Sequence, residues 1–172
     1  MKQILQNQKD KVKKVFDNVY DKYDLMNDFM SLGIHRIWKK DFIMMMSPSL
    51  NKKLIDVGCG TGDIAKLFLD AVKYKGKVSN VDPNRKMIAQ GEKRFNSIKN
   101  MSWYLENAEK LSFKKNSFDY YTISFGLRNT KSINKFINQD ELISYMKRCG
   151  FKNCSYRNLS GGIVAIHSGW KI

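Results

Sequence analysis

The sequence predicts an α/β domain in which a mainly parallel sheet carries helices on both faces, and three observations predict it. From Lys53 to Phe125, short apolar runs of strand length alternate with longer stretches of helical periodicity. The run Lys53-Leu54-Ile55-Asp56-Val57-Gly58-Cys59-Gly60-Thr61-Gly62-Asp63-Ile64 passes from an apolar strand through three alternating glycines into a helix. Finally, Asp82 closes the next strand-length run, Lys77-Val78-Ser79-Asn80-Val81, 22 residues beyond Gly60, where nucleotide-binding α/β folds place an acid. The 172 residues read as one domain, 1–172, with a helical segment 1–50, a sheet-forming core 51–130, and a C-terminal helix and hairpin 136–172.

The glycine turn carries the chemistry. Glycine admits positive φ and lets a ligand approach the main chain. A dinucleotide site needs glycines at the first, third and sixth places, but counting from Gly58 the sixth place is Asp63, and no P-loop lysine is present. A ligand without phosphates fits better. The acid-x-Gly-x-Gly-x-Gly order resembles the turn of class I S-adenosylmethionine (SAM) methyltransferases, and that resemblance implies a Rossmann-like sheet closed by an antiparallel hairpin. It also implies that Asp56, Gly58, Gly60 and Thr61 surround the amino acid end of SAM while Asp82 accepts from the ribose hydroxyls.

Before the turn, Val12, Val15, Phe16, Val19 and Tyr23 recur at helical spacing, which predicts an amphipathic helix over about 9–20. The stretch from Tyr23 to Lys39 mixes Met, aromatic and polar residues without one clean face; it suits either ordinary helix packing or a pliable pocket wall. The runs Val15 to Asp28 and Ser31 to Lys39 resemble the signature of the quinone-biosynthesis C-methyltransferases, and the likeness covers nearly the whole chain. It implies C-methylation of a polyprenyl benzoquinol or naphthoquinol ring in ubiquinone or menaquinone biosynthesis. Segment 1–50 then lies on the substrate side, with Tyr23, Met26 and Asn27 toward the quinol, and 51–130 forms the SAM-binding core.

Ser47-Pro48 ends the helical part, and Lys53 to Val57 is the first strand. Ile64, Leu67, Phe68 and Ala71 mark the next helix. After the second strand, Pro83 suits a helix first turn, and Met87, Ile88 and Phe95 give that helix its apolar side. The third strand is about Met101 to Leu105, followed by the polar loop Glu106 to Leu111 on the ligand side of an open sheet. The fourth strand, Phe118 to Phe125, delivers Ser124 to Asn129 to the same edge. The resemblance to the quinone family implies that Asn107 and Ala108 lie against the adenine, that Ser124 contacts the cofactor, and that Arg128 and Asn129 face the ring, which makes Arg128 the catalytic candidate. Read on its own, Asn107 is turn chemistry and Arg128 a surface ion-pair partner.

Asn138 to Glu141 is a capping-box start for a helix carrying Leu142, Ile143, Tyr145, Met146 and Cys149, which Gly150 stops. Phe151 to Asn158 and Ile163 to Ile172 read as a hairpin around Ser160-Gly161-Gly162. Between Lys135 and Phe136 the family carries a further helix, its fifth strand and a long helical insertion. A parallel crossover needs a dozen or more residues, and Gly126 to Asn138 cannot supply both crossover and strand. The expectation is therefore six strands in the order third, second, first, fourth, then the family's seventh and sixth, with the last strand lying beside the fourth.

The net charge of +15 admits a lysine-rich solvated surface, or an anionic partner such as nucleic acid or an acidic membrane face. Cys59, Cys149 and Cys154 have no metal-ligand spacing, and an odd count without a leader suits a reducing cytoplasm. No apolar run approaches the roughly 18 residues of a membrane span. The expected setting is cytoplasmic and peripheral at an anionic membrane face, with a lipophilic quinol as substrate and a homo-oligomer or quinone-biosynthesis complex as the assembly. His35 and His167 read as structural. Two rival readings remain. An RNA methyltransferase suits the charge, but the run after the fourth strand lacks the pattern of enzymes that methylate base amino groups, so nucleic acid is disfavoured. A non-catalytic SAM-binding remnant suits the gap.

Overall fold

The computed structural model describes residues 33–127 and 137–172. In chain order the elements are α1 (Ile34–Met46), β1 (Lys53–Val57), α2 (Asp63–Ala71), β2 (Lys77–Val81), α3 (Arg85–Arg94), β3 (Met101–Tyr104), β4 (Tyr120–Ile123), α4 (Gln139–Arg148), β5 (Lys152–Leu159) and β6 (Val164–Trp170), with a 3₁₀ turn at Ser160–Gly162 between the last two. The helix expected over 9–20 lies outside the described residues, as do Tyr23, Met26, Asn27, Arg128 and Asn129.

β1 to β4 form one parallel sheet in the order β3-β2-β1-β4. Its central strands β1 and β2 are buried on both faces, as in parallel sheets generally, with Asp56 and Asn80 interrupting the apolar residues. Leu54, Val78 and Met101 face a cluster with Ile43 of α1 and Ile64, Ala65, Phe68 and Leu69 of α2. Ile55, Val57 and Val81 face the other way, against Tyr104, Ala108, Leu111, Phe113 and Phe118. Within α2 the buried stripe is Ile64, Ala65, Phe68 and Leu69, while Ala71 is exposed and Leu67 half-buried. The inward face is therefore rotated from the expected one toward Ala65 and Leu69.

Three expectations are corrected. The hairpin does not extend the sheet: β5 and β6 pair only with each other, as a separate two-stranded sheet. A strand inside a parallel sheet needs apolar residues toward both faces. In β5, Lys152, Asn153, Ser155, Arg157 and Asn158 are exposed, and in the pair only Leu159 and Ile166 are fully buried. The fourth strand is shorter than Phe118 to Phe125. Asp119 turns its carboxylate to the Lys53 N–H (2.8 Å) and the Lys52 ammonium (2.9 Å), and Phe125 takes a left-handed φ of 56° that ends the extended run. Pro83 precedes the helix instead of opening it, because Asn84 is the N-cap and accepts from the N–H groups of Lys86 and Met87.

The C-terminal helix follows its sequence signals. Asn138 and Glu141 form a reciprocal capping box, and Gly150 leaves α4 at φ 86°. His167, whose pKa burial lowers, sits against the Gln139 carbonyl (3.2 Å) and the Tyr156 ring, tying hairpin to helix.

Candidate functional site

The site forms where β1, β2 and β4 end and the backbone turns into α2. Asp82, leaving β2, is buried, with 8% of its surface exposed. Its Oδ2 accepts the Gly60 N–H at 2.9 Å and its Oδ1 accepts the Asn84 N–H at 2.8 Å. One carboxylate therefore fixes both the glycine turn and the N-cap of α3, and each oxygen keeps a lone pair for a ligand. Burial raises its pKa, while these two backbone bonds oppose the shift.

The turn's glycines have different tasks. A Cβ on Gly60 (φ 56°) would meet no atom within 4 Å, so this part of the main chain borders open space. A Cβ on Gly62 (φ 90°) would lie 2.6 Å from Cη2 of Trp103, and the same indole also fills the space beside Gly91. Gly62 is thus required by packing and Gly60 by access. The Cys59 thiol lies within the turn, and burial, with the charges of Asp56 and Asp82, pushes its pKa up and disfavours the thiolate.

Behind the turn runs a buried polar row across three strands, Asn80, Asp56 and Thr122, in register. The Thr122 hydroxyl donates to Asp56 Oδ1 at 2.7 Å, while Asp56 Oδ2 and Asn80 Oδ1 have no protein partner. Burial raises Asp56 to about 7, with Thr122 opposing and the Asp82 charge adding.

In front of the turn, Asp63 opens α2 without a side-chain cap. Its two oxygens take Lys39 Nζ of α1 (2.6 Å) and Arg94 Nη1 of α3 (2.7 Å), and Arg94 also reaches Thr61 Oγ1 at 3.3 Å. Burial alone would raise the Asp63 carboxyl, but the two cations outweigh it and hold it below the usual range.

The structure brings together Asp56, Gly58, Gly60, Thr61 and Asp82. Ser124 follows β4 directly, half-buried, and Gly126 Cα comes within 3.7 Å of the position a Gly58 Cβ would take. Asn107 sits in the loop after β3, where its Oδ1 accepts the Glu109 N–H (3.0 Å), an Asx turn. Ala108 packs under that loop on Ile55, Val57 and Val81. Sequence reasoning missed Lys39, Arg94, Asn80, Thr122 and Trp103. An acid immediately after the last glycine, at the first helical position, was the available signal for Asp63.

The residues present fit SAM. Asp82 offers two free lone pairs to a diol, and the Gly60 main chain is open. Fold and site together define a class I SAM-dependent methyltransferase. Solved structures share the fold: a Haemonchus contortus N-methyltransferase in complex with phosphomonomethylethanolamine and S-adenosylhomocysteine (TM-score 0.61, 16% identity, 72% of this chain and 39% of that one). A Haloferax volcanii putative methyltransferase in complex with its Trm112 activator aligns with TM-score 0.52 at 16% identity, over 63% of this chain and 46% of that one.

The chain belongs to the ubiE/COQ5 methyltransferase family, whose model matches residues 2–137 and 130–171. It is 36% identical to a ubiquinone/menaquinone biosynthesis C-methyltransferase of Rickettsia bellii over 99% of this chain and 97% of that protein, and 35% identical to one of Rickettsia typhi over 94% and 92%. The first alignment runs over 243 positions, 71 more than the 172 residues here. The family model is met in two pieces that join at 130–137, so the residues with no counterpart fall between β4 and α4.

Proposed function

We propose that this chain methylates a ring carbon of a polyprenyl benzoquinol or naphthoquinol, a reading supported by relatives named as ubiquinone/menaquinone biosynthesis C-methyltransferases. The observation that carries the reading is Asp82, which holds the Gly60 N–H and still has acceptor capacity on both oxygens at the mouth of the turn. SAM supplies an electrophilic sulfonium methyl, and the protein's part is to hold and orient. Asp82 would take the ribose hydroxyls, the turn from Gly58 to Thr61 with Asp56 the amino acid end, and Asn107 with Ala108 the adenine. Ser124 would line the cofactor where β4 ends.

The ring carbon is nucleophilic only when a neighbouring hydroxyl ionises. Arg128 would favour that phenolate electrostatically, since guanidinium does not titrate. Asn129, Tyr23, Met26 and Asn27 would hold the ring and its tail. Keeping the reacting atoms close in a site without water supplies several kcal/mol. The charge of +15 suits an anionic membrane face, where a lipophilic quinol resides, at the cytoplasmic side. Among the described residues no helix is long and apolar enough to cross a membrane. A second copy or a quinone-biosynthesis complex would complete the quinol pocket.

A second reading, a SAM-binding protein without turnover, is favoured by the break in the family match at 130–137, after β4. Calorimetry with S-adenosylhomocysteine (SAH), run beside turnover of a demethylated quinol, decides. Heat with product supports the enzyme, heat without product the second reading, and no heat overturns both.

A further inference from the structure

Trp38 and Lys39 are neighbours on α1, and adjacent helical residues point about 100° apart, so the pair can grip two bodies at once. Lys39 grips the cofactor turn. Its side chain is 13% exposed, its partner Asp63 23%, whereas the pairs Lys52–Asp119 and Lys66–Asp70 are open to water. A largely buried ammonium is tolerated only against a fixed partner, so the position of Lys39 follows that of Asp63. Asp63 is in turn locked to Arg94, which bonds Thr61 inside the turn.

Trp38 grips the other side. Its Nε1 donates to Ser160 Oγ in the hairpin turn at 2.9 Å, and its ring lies 6.4 Å from that of Phe125, the residue at which β4 exits. Phe125 leads into Gly126, which abuts Gly58. Packing of α1 on the sheet is already provided by Phe42, Ile43 and Met46, so the polar reach of residues 38 and 39 is additional to the core.

We propose that Lys39 and Trp38 are positioning residues: they couple occupancy of the glycine turn, through Asp63, to the placement of the β4 exit and of the hairpin turn. The proposal rests on the reading that the glycine turn holds SAM. The charged groups facing the joint are Asp63 and Arg94, with Asp56 and Asp82 behind the turn. An ion pair that merely staples α1 to α2 would hold the helix in place without reporting ligand.

The test uses the full chain labelled with 5-fluorotryptophan, whose three tryptophans give three ¹⁹F resonances, that of Trp38 assigned by its loss in Trp38→Phe. Trp103 packs on Gly62 and serves as the direct reporter of the turn. Titration with SAH is expected to move both the Trp103 and Trp38 resonances. In Lys39→Met the Trp103 response remains, that of Trp38 is lost, and SAH binds about fivefold or more weakly, the lower range of measured site coupling. Lys39→Arg restores the Trp38 response. Movement of Trp103 with Trp38 unmoved in the wild-type chain overturns the joint alone, as does an undiminished Trp38 response in Lys39→Met. If neither resonance moves and calorimetry shows no heat, the cofactor reading falls and the joint with it.

Discussion

Alanine at Gly60 and at Gly62 should produce opposite phenotypes although the two glycines stand two residues apart in one turn. Both have positive φ, 56° and 90°, and a non-glycine residue in the left-handed region costs about 1–2 kcal/mol. At Gly62 the new Cβ would also stand 2.6 Å from Cη2 of Trp103, a rigid indole already wedged against Gly91, and overpacking of this kind costs about 1–3 kcal/mol. The sum, about 2–5 kcal/mol, is a large part of a domain's usual roughly 5–15 kcal/mol. At about 2–4 °C per kcal/mol for a chain of this size, Gly62→Ala should melt about 4–20 °C lower. At Gly60 the Cβ meets nothing within 4 Å, so only the backbone cost remains, a drop of about 2–8 °C. The methyl there would project into the open side of the turn, however, and SAH affinity should fall about tenfold or more, a loss of at least about 1.4 kcal/mol. Thermal melts by circular dichroism and SAH calorimetry below the transition measure both. A Gly62→Ala chain melting within two degrees of wild type, or a Gly60→Ala chain binding SAH undiminished, refutes this division of labour.

Asp82→Asn keeps the shape but turns one acceptor into a donor against a backbone N–H; SAH affinity should drop about tenfold to a hundredfold while the melting temperature changes little, since burial of a charge is relieved. Equal loss of folding would make Asp82 a structural residue first. Asp56, raised by burial to about 7, holds a proton in the folded state that the unfolded chain releases near 4. Its contribution to stability is therefore complete below about pH 4 and is lost as pH rises toward about 7. Asp56→Asn should flatten that slope in denaturation curves taken from pH 5 to 8 and leave the variant the more stable of the two at pH 8. Asn138→Ala removes the capping box of α4 and should cost about 0.5–2 kcal/mol in urea unfolding, without changing SAH binding.

The four-stranded sheet was legible because strand-length runs alternate with helix-periodic stretches from β1 onward, and the capping box of α4 because its signal is local to Asn138 and Glu141. The glycine turn and Asp82 were legible for the same reason: one is contiguous, the other stands at a fixed distance set by one strand–helix–strand unit. The hairpin's partner was not. The sequence of β6 does not by itself choose between β4 and β5 as partner, and the polar character of β5, exposed along most of its length, tells against a place in the sheet. The joint of Lys39, Asp63 and Arg94 was hidden too, since it unites three elements whose charges show no periodicity. Trp103 was read as strand content, whereas its neighbours Gly62 and Gly91 come from the glycine turn and from α3, which only the fold brings together.

Among the described residues β4 is hydrogen-bonded along one side only, and its Tyr121 is 54% exposed. Such a rim can template the association of like chains, a hazard that cationic side chains commonly restrain. Self-repulsion between molecules each carrying +15 would oppose such association, and dissolved electrolyte would weaken it. The solubility of the purified protein should accordingly fall as sodium chloride is added, because what keeps the open flank of its sheet from finding a neighbour is long-range and screenable.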